Sequence, residues 1–232
     1  MMSEFSEINA AAGTCLVLCL KAPERSKRRL AAEIGELATT AATHLWACVL
    51  EDLHSWPGPT CFAPADADDA AWLNRQLNGS YATVLQEGGN LGERLNHVDE
   101  VLRSRDQRKL LFIGTDCPTM ERSYLLQAAA ELTSHDVVLG PAADGGVVLM
   151  GARLAWPTLT DLPWSTHRLC DELTSQCTRH SLSIAILEPR ADVDSVAALL
   201  AAGNDLAQDR RPARRALSQW LKQPNVAWDG MR

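Results

Sequence analysis

The feature that most constrains this chain is a series of short, nearly unbroken apolar runs separated by helix-patterned segments. The runs are Thr14–Leu20 (TCLVLCL), Leu110–Gly114 (LLFIG), Val137–Gly140 (VVLG), Val147–Gly151 (VVLMG) and Ser183–Leu187 (SIAIL), with weaker ones at Thr60–Ala63 and Tyr81–Leu85. Apolar on consecutive rather than alternate positions, they fit strands covered on both faces. Between them, Leu91, Leu95, Val98 and Leu102 recur at helical spacing, with Glu93, Arg94, Asp99 and Glu100 on the other faces. Leu125, Ala129 and Leu132 repeat the pattern after Pro118-Thr119, which reads as a helix start, and the long Ala- and Leu-rich segment 28–53 is helix-favouring. Alternating strands and helices predict an α/β fold: a three-layer, doubly wound, mixed but mostly parallel sheet. The sheet is expected to be mixed because Val137–Gly140 and Val147–Gly151 are joined by a loop too short for a parallel crossover.

A length of 232 residues suits one large domain. We divide it into an N-terminal extension (1–13), a main domain (14–203), and a C-terminal helix and tail packed on that domain (204–232). The four arginines within 209–215 read as a solvated face. With 46% hydrophobic and 22% charged residues the composition is that of a soluble globular protein. The net charge of -7 argues against a nucleic-acid partner, whose phosphate backbone rewards excess Lys and Arg. A nucleotide ligand needs only a few local cations. The seven cysteines form no Cys-x-x-Cys pair and read as reduced thiols. The acidic start lacks the basic and apolar regions of a signal peptide, and no stretch approaches the roughly 20 apolar residues of a membrane helix. A cytoplasmic location without membrane insertion is expected.

In an open α/β sheet, ligands bind outside the carboxyl ends of the strands. The first run ends at Lys21-Ala22-Pro23, and five cations fall within residues 21–29 (Lys21, Arg25, Lys27, Arg28, Arg29). Such a loop is a potential phosphate cradle, or else a basic surface turn. LLFIG ends at Thr115-Asp116-Cys117-Pro118. Asp116 is either a helix cap or a hard oxygen ligand for Mg²⁺ or Mn²⁺, which use one or two carboxylates plus substrate phosphates. Cys117 has no local signature of a nucleophile with its base. Asp144-Gly145-Gly146 is either a structural turn or a close approach of backbone to ligand. Ser165 or Thr166, after Trp164, would cap the next helix; Asp192 and Asp194 would complete a metal site or cap the helix starting at Ser195.

In this order the segments K-A-P…K-R-R-L (21–30), N-L-G-E-R-L (90–95), G-T-D-C-P (114–118), D-V-V-L-G-P-A-A-D-G-G (136–146), W-S-T (164–166) and D-V-D-S (192–195) resemble the glycosyltransferase-A-like family DUF2064. Some members of that family are labelled arsenosugar-biosynthesis glycosyltransferases. It is similar in fold to the phospholactate guanylyltransferases and the molybdenum-cofactor nucleotidyltransferases. The resemblance spans about 15–200 and implies a nucleotide-diphospho-sugar transferase fold for the main domain. It implies that Lys21, Ala22, Pro23, Lys27 and Arg29, with Arg94, bind the nucleotide, and that Asp116 holds Mg²⁺ or Mn²⁺, with Asp194 or Asp192 supplying a further metal or substrate contact. Asp144, Asp194 and Glu93 become the candidates for catalysis; Asp144 with Gly145 and Gly146 would line the acceptor side, and Gly145, Gly146, Trp164, Ser165 and Thr166 are the expected substrate-binding residues. The first loop is two residues shorter than the family pattern; Ser26 replaces its glycine and Arg28 its threonine. Val147 stands for a tyrosine, and Ala198 for the last acid of the late motif.

The leading expectation is a metal-dependent transferase that passes a sugar from a nucleotide-sugar donor to a small-molecule acceptor. The first alternative is a nucleotidyltransferase joining a nucleoside triphosphate to a small phosphorylated acceptor. The second is a catalytically weak nucleotide-binding or partner protein on the same scaffold.

Overall fold

A computed structural model describes residues 4–223; positions 1–3 and the end of the predicted tail, 224–232, lie outside the described residues. The chain opens with α1 (Glu4–Ala12), then β1 (Cys15–Leu20), a short 3-10 turn (Pro23–Arg25), α2 (Arg28–Ile34) and α3 (Leu37–Ser55). It continues through β2 (Thr60–Pro64), α4 (Ala67–Gln76), β3 (Ala82–Thr83), α5 (Leu91–Ser104), β4 (Leu110–Ile113), α6 (Arg122–Glu131), β5 (Val137–Pro141) and β6 (Val147–Ala152). It closes with α7 (Leu169–Arg179), β7 (Ile184–Ile186), α8 (Val196–Asp205) and α9 (Pro212–Leu221). No helix among the described residues is long and apolar enough to cross a membrane.

Among the described residues seven strands form one sheet in the order β3-β2-β1-β4-β6-β5-β7. β6 runs antiparallel to both β4 and β5, while the other pairings are parallel. The fold is therefore the mixed, mostly parallel, doubly wound sheet expected, with the antiparallel strand where the short connection required it. Each apolar run lies in this sheet. The weak Tyr81–Leu85 run forms only a two-residue strand, but Val84 and Gln86 extend its pairing by donating to Phe62 and Pro64.

Strand side chains alternate between faces, which explains why the runs are apolar throughout. Leu16, Leu18 and Leu20 of β1 join Leu111 and Ile113 of β4 in a core covered by α3 and α6. Cys15 and Val17, with Leu110 and Phe112, face the opposite core, covered by Leu95, Val98 and Leu102 of α5 and by Leu169, Leu173 and Cys177 of α7. A third core has no strand residue. Leu30 and Ile34 of α2, Leu45 of α3, Leu199 of α8, and Leu217 and Trp220 of α9 build it, together with Val193.

The helix-favouring segment 28–53 forms two helices, α2 and α3, that part at Gly35, whose φ of 56° is costly for any side-chain-bearing residue. The break lets α2 turn its apolar face into the third core. Other local expectations are corrected. Pro118-Thr119 form a turn closed by the Met120 amide on the Cys117 carbonyl, so α6 begins only at Arg122. Neither Ser165 nor Thr166 is the N-cap of α7; that residue is Arg168, whose amide donates to the Thr166 hydroxyl. Ser195 does cap α8, its hydroxyl accepting from the Ala198 amide. Leu91 is exposed at the cleft instead of joining the α5 core.

The arginine-rich segment 209–215 is not a uniformly solvated face. Arg214 is fully buried, bonded to Asp52 at 2.5 Å, to Glu51 at 2.9 Å, and to the carbonyls of Pro118 and Cys48. Arg211 binds Asp209 at 2.7 Å and the Met120 carbonyl at 3.0 Å. The acids of α3 sit where α9 packs, and burying them demands a cationic partner.

Candidate active site

The carboxyl ends of β1 and β4 open into a cleft of about 520 Å³, whose lining includes Lys21, Lys27, Arg29, Gln86, Asp116 and Asp194. The loop after β1 forms its basic rim. Pro23 starts the 3-10 turn, and the Ala22 amide is drawn inward to Asp69 Oδ1 at 2.9 Å. Arg25 clamps Asp66 with a two-pronged pair, 2.6 and 2.5 Å. Together with the Asp69 and Asp68 amides at the start of α4, Arg25 holds the Asp66 carboxyl well below the usual carboxylate range. One of the loop's five cations is therefore a staple, and Ala22 and Pro23 lie beneath the cleft without lining it. Arg25 still lines it, together with Lys21, Lys27, Arg28 and Arg29.

Asp116 and Asp194 come together although 78 residues apart in number. After β7 the chain returns along the β5–β6 hairpin, with Ala143 donating to Arg190 and Arg190 to Pro141. The Val193 amide then donates to the Asp116 carbonyl at 2.8 Å, fixing Asp194 beside the end of β4. Lys27 Nζ lies 2.8 Å from Asp116 Oδ1 and 3.3 Å from Asp194 Oδ1, and donates to the Val193 carbonyl at 2.5 Å. Arg29 reaches Asp194 Oδ2 at 3.2 Å, and the Thr115 hydroxyl donates to Asp116 at 3.0 Å. Asp116 does not cap α6, whose N-cap is Glu121. Its carboxylate is turned toward cations.

Asp192 stands next to this pair. Burial raises its pKa first, and the negative charges of Asp144, Asp194 and Asp116 raise it further. Four carboxylates thus share one end of the sheet, although Asp144 and Asp192 do not line the cleft itself. Burial pushes the Cys117 thiol up to about 11, leaving little thiolate near neutrality.

The remaining expected residues divide between the cleft and local scaffolding. Ser165 lines the cleft with φ 62°, while Trp164 donates through its indole to the Leu159 carbonyl and Thr166 to the Pro163 carbonyl. Glu93 accepts from the Gly89 amide at 2.6 Å, and Arg94 Nε donates to the Gly88 carbonyl, so both brace the loop before α5. The Gly146 amide donates to Asp144 at 2.9 Å. Gly145 has φ 91°, and a Cβ there would lie 2.0 Å from the His167 carbonyl oxygen. Its carbonyl also accepts from the Cys170 amide, so the hairpin is docked backbone-to-backbone on the start of α7. Gly145→Ala is expected to lose about 2 kcal/mol of stability through strain and overpacking, measured by urea denaturation against the wild type.

Sequence reading passed over Gln86. It is buried at the cleft and donates to the Ala63 carbonyl at 2.6 Å. Its signal was its place just past a weak strand, where a polar side chain meets the cleft floor.

The mixed, doubly wound sheet has the fold of the nucleotide-diphospho-sugar transferases. The chain belongs to the family DUF2064, described as "Uncharacterized protein conserved in bacteria", whose sequence profile matches residues 49–166, over half its length. That match includes Asp116 and the Asp144-Gly145-Gly146 segment but not the first loop or Asp194. Among solved structures, the chain resembles a protein from Desulfovibrio desulfuricans G20 provisionally named a nucleotide-diphospho-sugar transferase. The identity is 23%, with 90% of this chain and 94% of that one covered, at a TM-score of 0.82. A nucleotidyl transferase from Methanothermobacter thermautotroptrophicus aligns at 15% identity, 84% and 99% coverage, and a TM-score of 0.54. CMP:2-keto-3-deoxy-manno-octonic acid synthetase, in complex with CTP, aligns at 12%, 84% and 99%, and 0.51. At these identities the likeness is one of fold. No curated protein sequence matches the chain.

Proposed function

We propose that this protein is a metal-dependent transferase that moves a sugar from a nucleotide-sugar donor to a small-molecule acceptor. One observation carries the reading. Asp116 and Asp194, from distant parts of the chain, converge on a single positive centre at the carboxyl ends of β1 and β4, beside a basic loop. Two half-exposed carboxylates facing an open cleft suit Mg²⁺ or Mn²⁺, which complete their shells with water and phosphate oxygens. Among the described residues no group of three or more His, Cys, Asp or Glu side chains forms an all-protein cage, and these hard ions do not need one. When bound, the ion offsets charge on the leaving nucleotide.

In this reading Lys21, Arg28 and Arg29 offer charge to the phosphates, and Ser165 borders the donor. Of the three candidate bases, Asp194 is held by Lys27 and Arg29, and Glu93 by the Gly89 amide. Asp144 is exposed and carries one short local bond, to the Gly146 amide, so it is the group assigned to the acceptor proton.

A thermal-shift screen of nucleoside diphosphates, triphosphates and nucleotide sugars, with and without Mn²⁺, tests the reading. A cognate ligand at a hundred times its Kd adds about 2.7 kcal/mol, or roughly 5–10 °C for a domain of this size. Release of nucleoside diphosphate from the stabilising sugar nucleotide supports sugar transfer. Release of pyrophosphate from a triphosphate would replace it with nucleotidyl transfer. No shift with any of them would leave only the scaffold.

A further inference from the structure

The Lys27 side chain is 4% exposed, whereas the carboxylates of Asp116 and Asp194 that it bridges are 44% and 42% exposed. The ammonium donates to the Val193 carbonyl at 2.5 Å and to Asp194 Oδ1 at 3.3 Å, and it forms an ion pair with Asp116 Oδ1 at 2.8 Å. Lys27 also holds a left-handed backbone (φ 51°, ψ 42°) immediately before α2. A residue with a side chain adopts that conformation only where its surroundings over-determine it. The ammonium lies in the cleft wall, engaged with both carboxylates and the Val193 carbonyl.

The two carboxylates assigned to the divalent ion are therefore already paired with a cationic side chain of the protein. A divalent ion bound to the same oxygens would sit within a few ångströms of the ammonium, where like charges repel strongly. We infer that Lys27 is a built-in counter-ion that keeps the divalent cation out of the nucleotide-free protein. Metal enters together with the diphosphate, whose oxygens give the ammonium a new partner as it leaves the two acids. Lys27 is thus a positioning residue that couples metal and nucleotide binding. Arg29, on the far oxygen of Asp194, holds that carboxylate during the exchange. This inference rests on the metal reading above.

The test is Mn²⁺ binding followed by electron paramagnetic resonance, on wild type and on Lys27→Met and Lys27→Gln, with Mn²⁺ alone and then with inorganic pyrophosphate. Pyrophosphate makes the experiment independent of the base. The variants should bind Mn²⁺ alone about tenfold more tightly than wild type, a factor within ordinary site-to-site coupling. Pyrophosphate should tighten Mn²⁺ binding in wild type more than in the variants. Mn²⁺ should also restore the melting temperature that the variants lose through the carboxylates left without Lys27. If wild type binds Mn²⁺ alone as tightly as the variants, the inference fails while the metal reading stands. If no protein binds Mn²⁺ even with pyrophosphate, the metal reading falls and the inference with it. Should both variants fail to fold, wild type decides alone: equal Mn²⁺ affinity with and without pyrophosphate overturns the inference.

Discussion

Asp116→Asn is expected to lower turnover of the cognate nucleotide sugar by about two orders of magnitude, the usual scale for removing one preorganised charge from a transition-state site. The substitution keeps the side-chain shape and an oxygen to accept from the Thr115 hydroxyl. Lys27 retains Asp194 and the Val193 carbonyl as partners. The fold should therefore survive, with the melting temperature displaced by only a few degrees. Steady-state assays across a Mn²⁺ series measure the loss. A variant that turns over at the wild-type rate, with unchanged Mn²⁺ dependence, would remove Asp116 from the site.

Arg214→Ala is expected to destabilise the protein by about 3–5 kcal/mol, the range for deleting one partner of a buried ion pair. The loss does not measure the strength of the pair. It reflects Asp52, 4% exposed in its side chain, left with only the 3.4 Å contact to Arg211. The guanidinium also satisfies the carbonyls of Pro118 and Cys48, which lose their donor. Denaturant melts of the single variant and of the double variant Arg214→Met with Asp52→Leu separate the two accounts. Removing both charges should recover much of the loss, because similarly shaped apolar pairs often match buried ion pairs. A double variant no better than the single one would show that the cost lies in packing.

The strands were legible because a sheet covered on both faces needs apolar residues at every position, and few other elements need four in a row. LLFIG and VVLG carry that signal without interruption. The antiparallel strand was legible from a loop length alone. The helix break was not, because Gly35 lies within an Ala- and Leu-rich stretch whose propensity is helical on either side. Only the demand of α2 to bury Leu30 and Ile34 in the third core decides it. Arg214 was misread for a related reason: four arginines in seven residues look solvated until α9 is docked on the acids of α3. At the site, Asp116 was legible as an acid at the end of a buried strand. The pairing of Lys27 with both Asp116 and Asp194 was not. It depends on the return of the chain along the hairpin after β7, which no local pattern records.

The third core gives the cleft an unusual mechanical origin. Leu30 follows Arg29, and Val193 precedes Asp194, and both are buried in that strandless cluster with α3, α8 and α9. Two sides of the cleft are thus fastened to the same helical block, while Asp116 is fastened to the sheet. The block is itself tied to the sheet, through the Val193 amide on the Asp116 carbonyl and through α3, whose Trp46, Val49 and Leu53 pack in the core of β1 and β4. The spacing of Lys27 and Asp194 from Asp116 is therefore set by how one strandless cluster seats on the sheet.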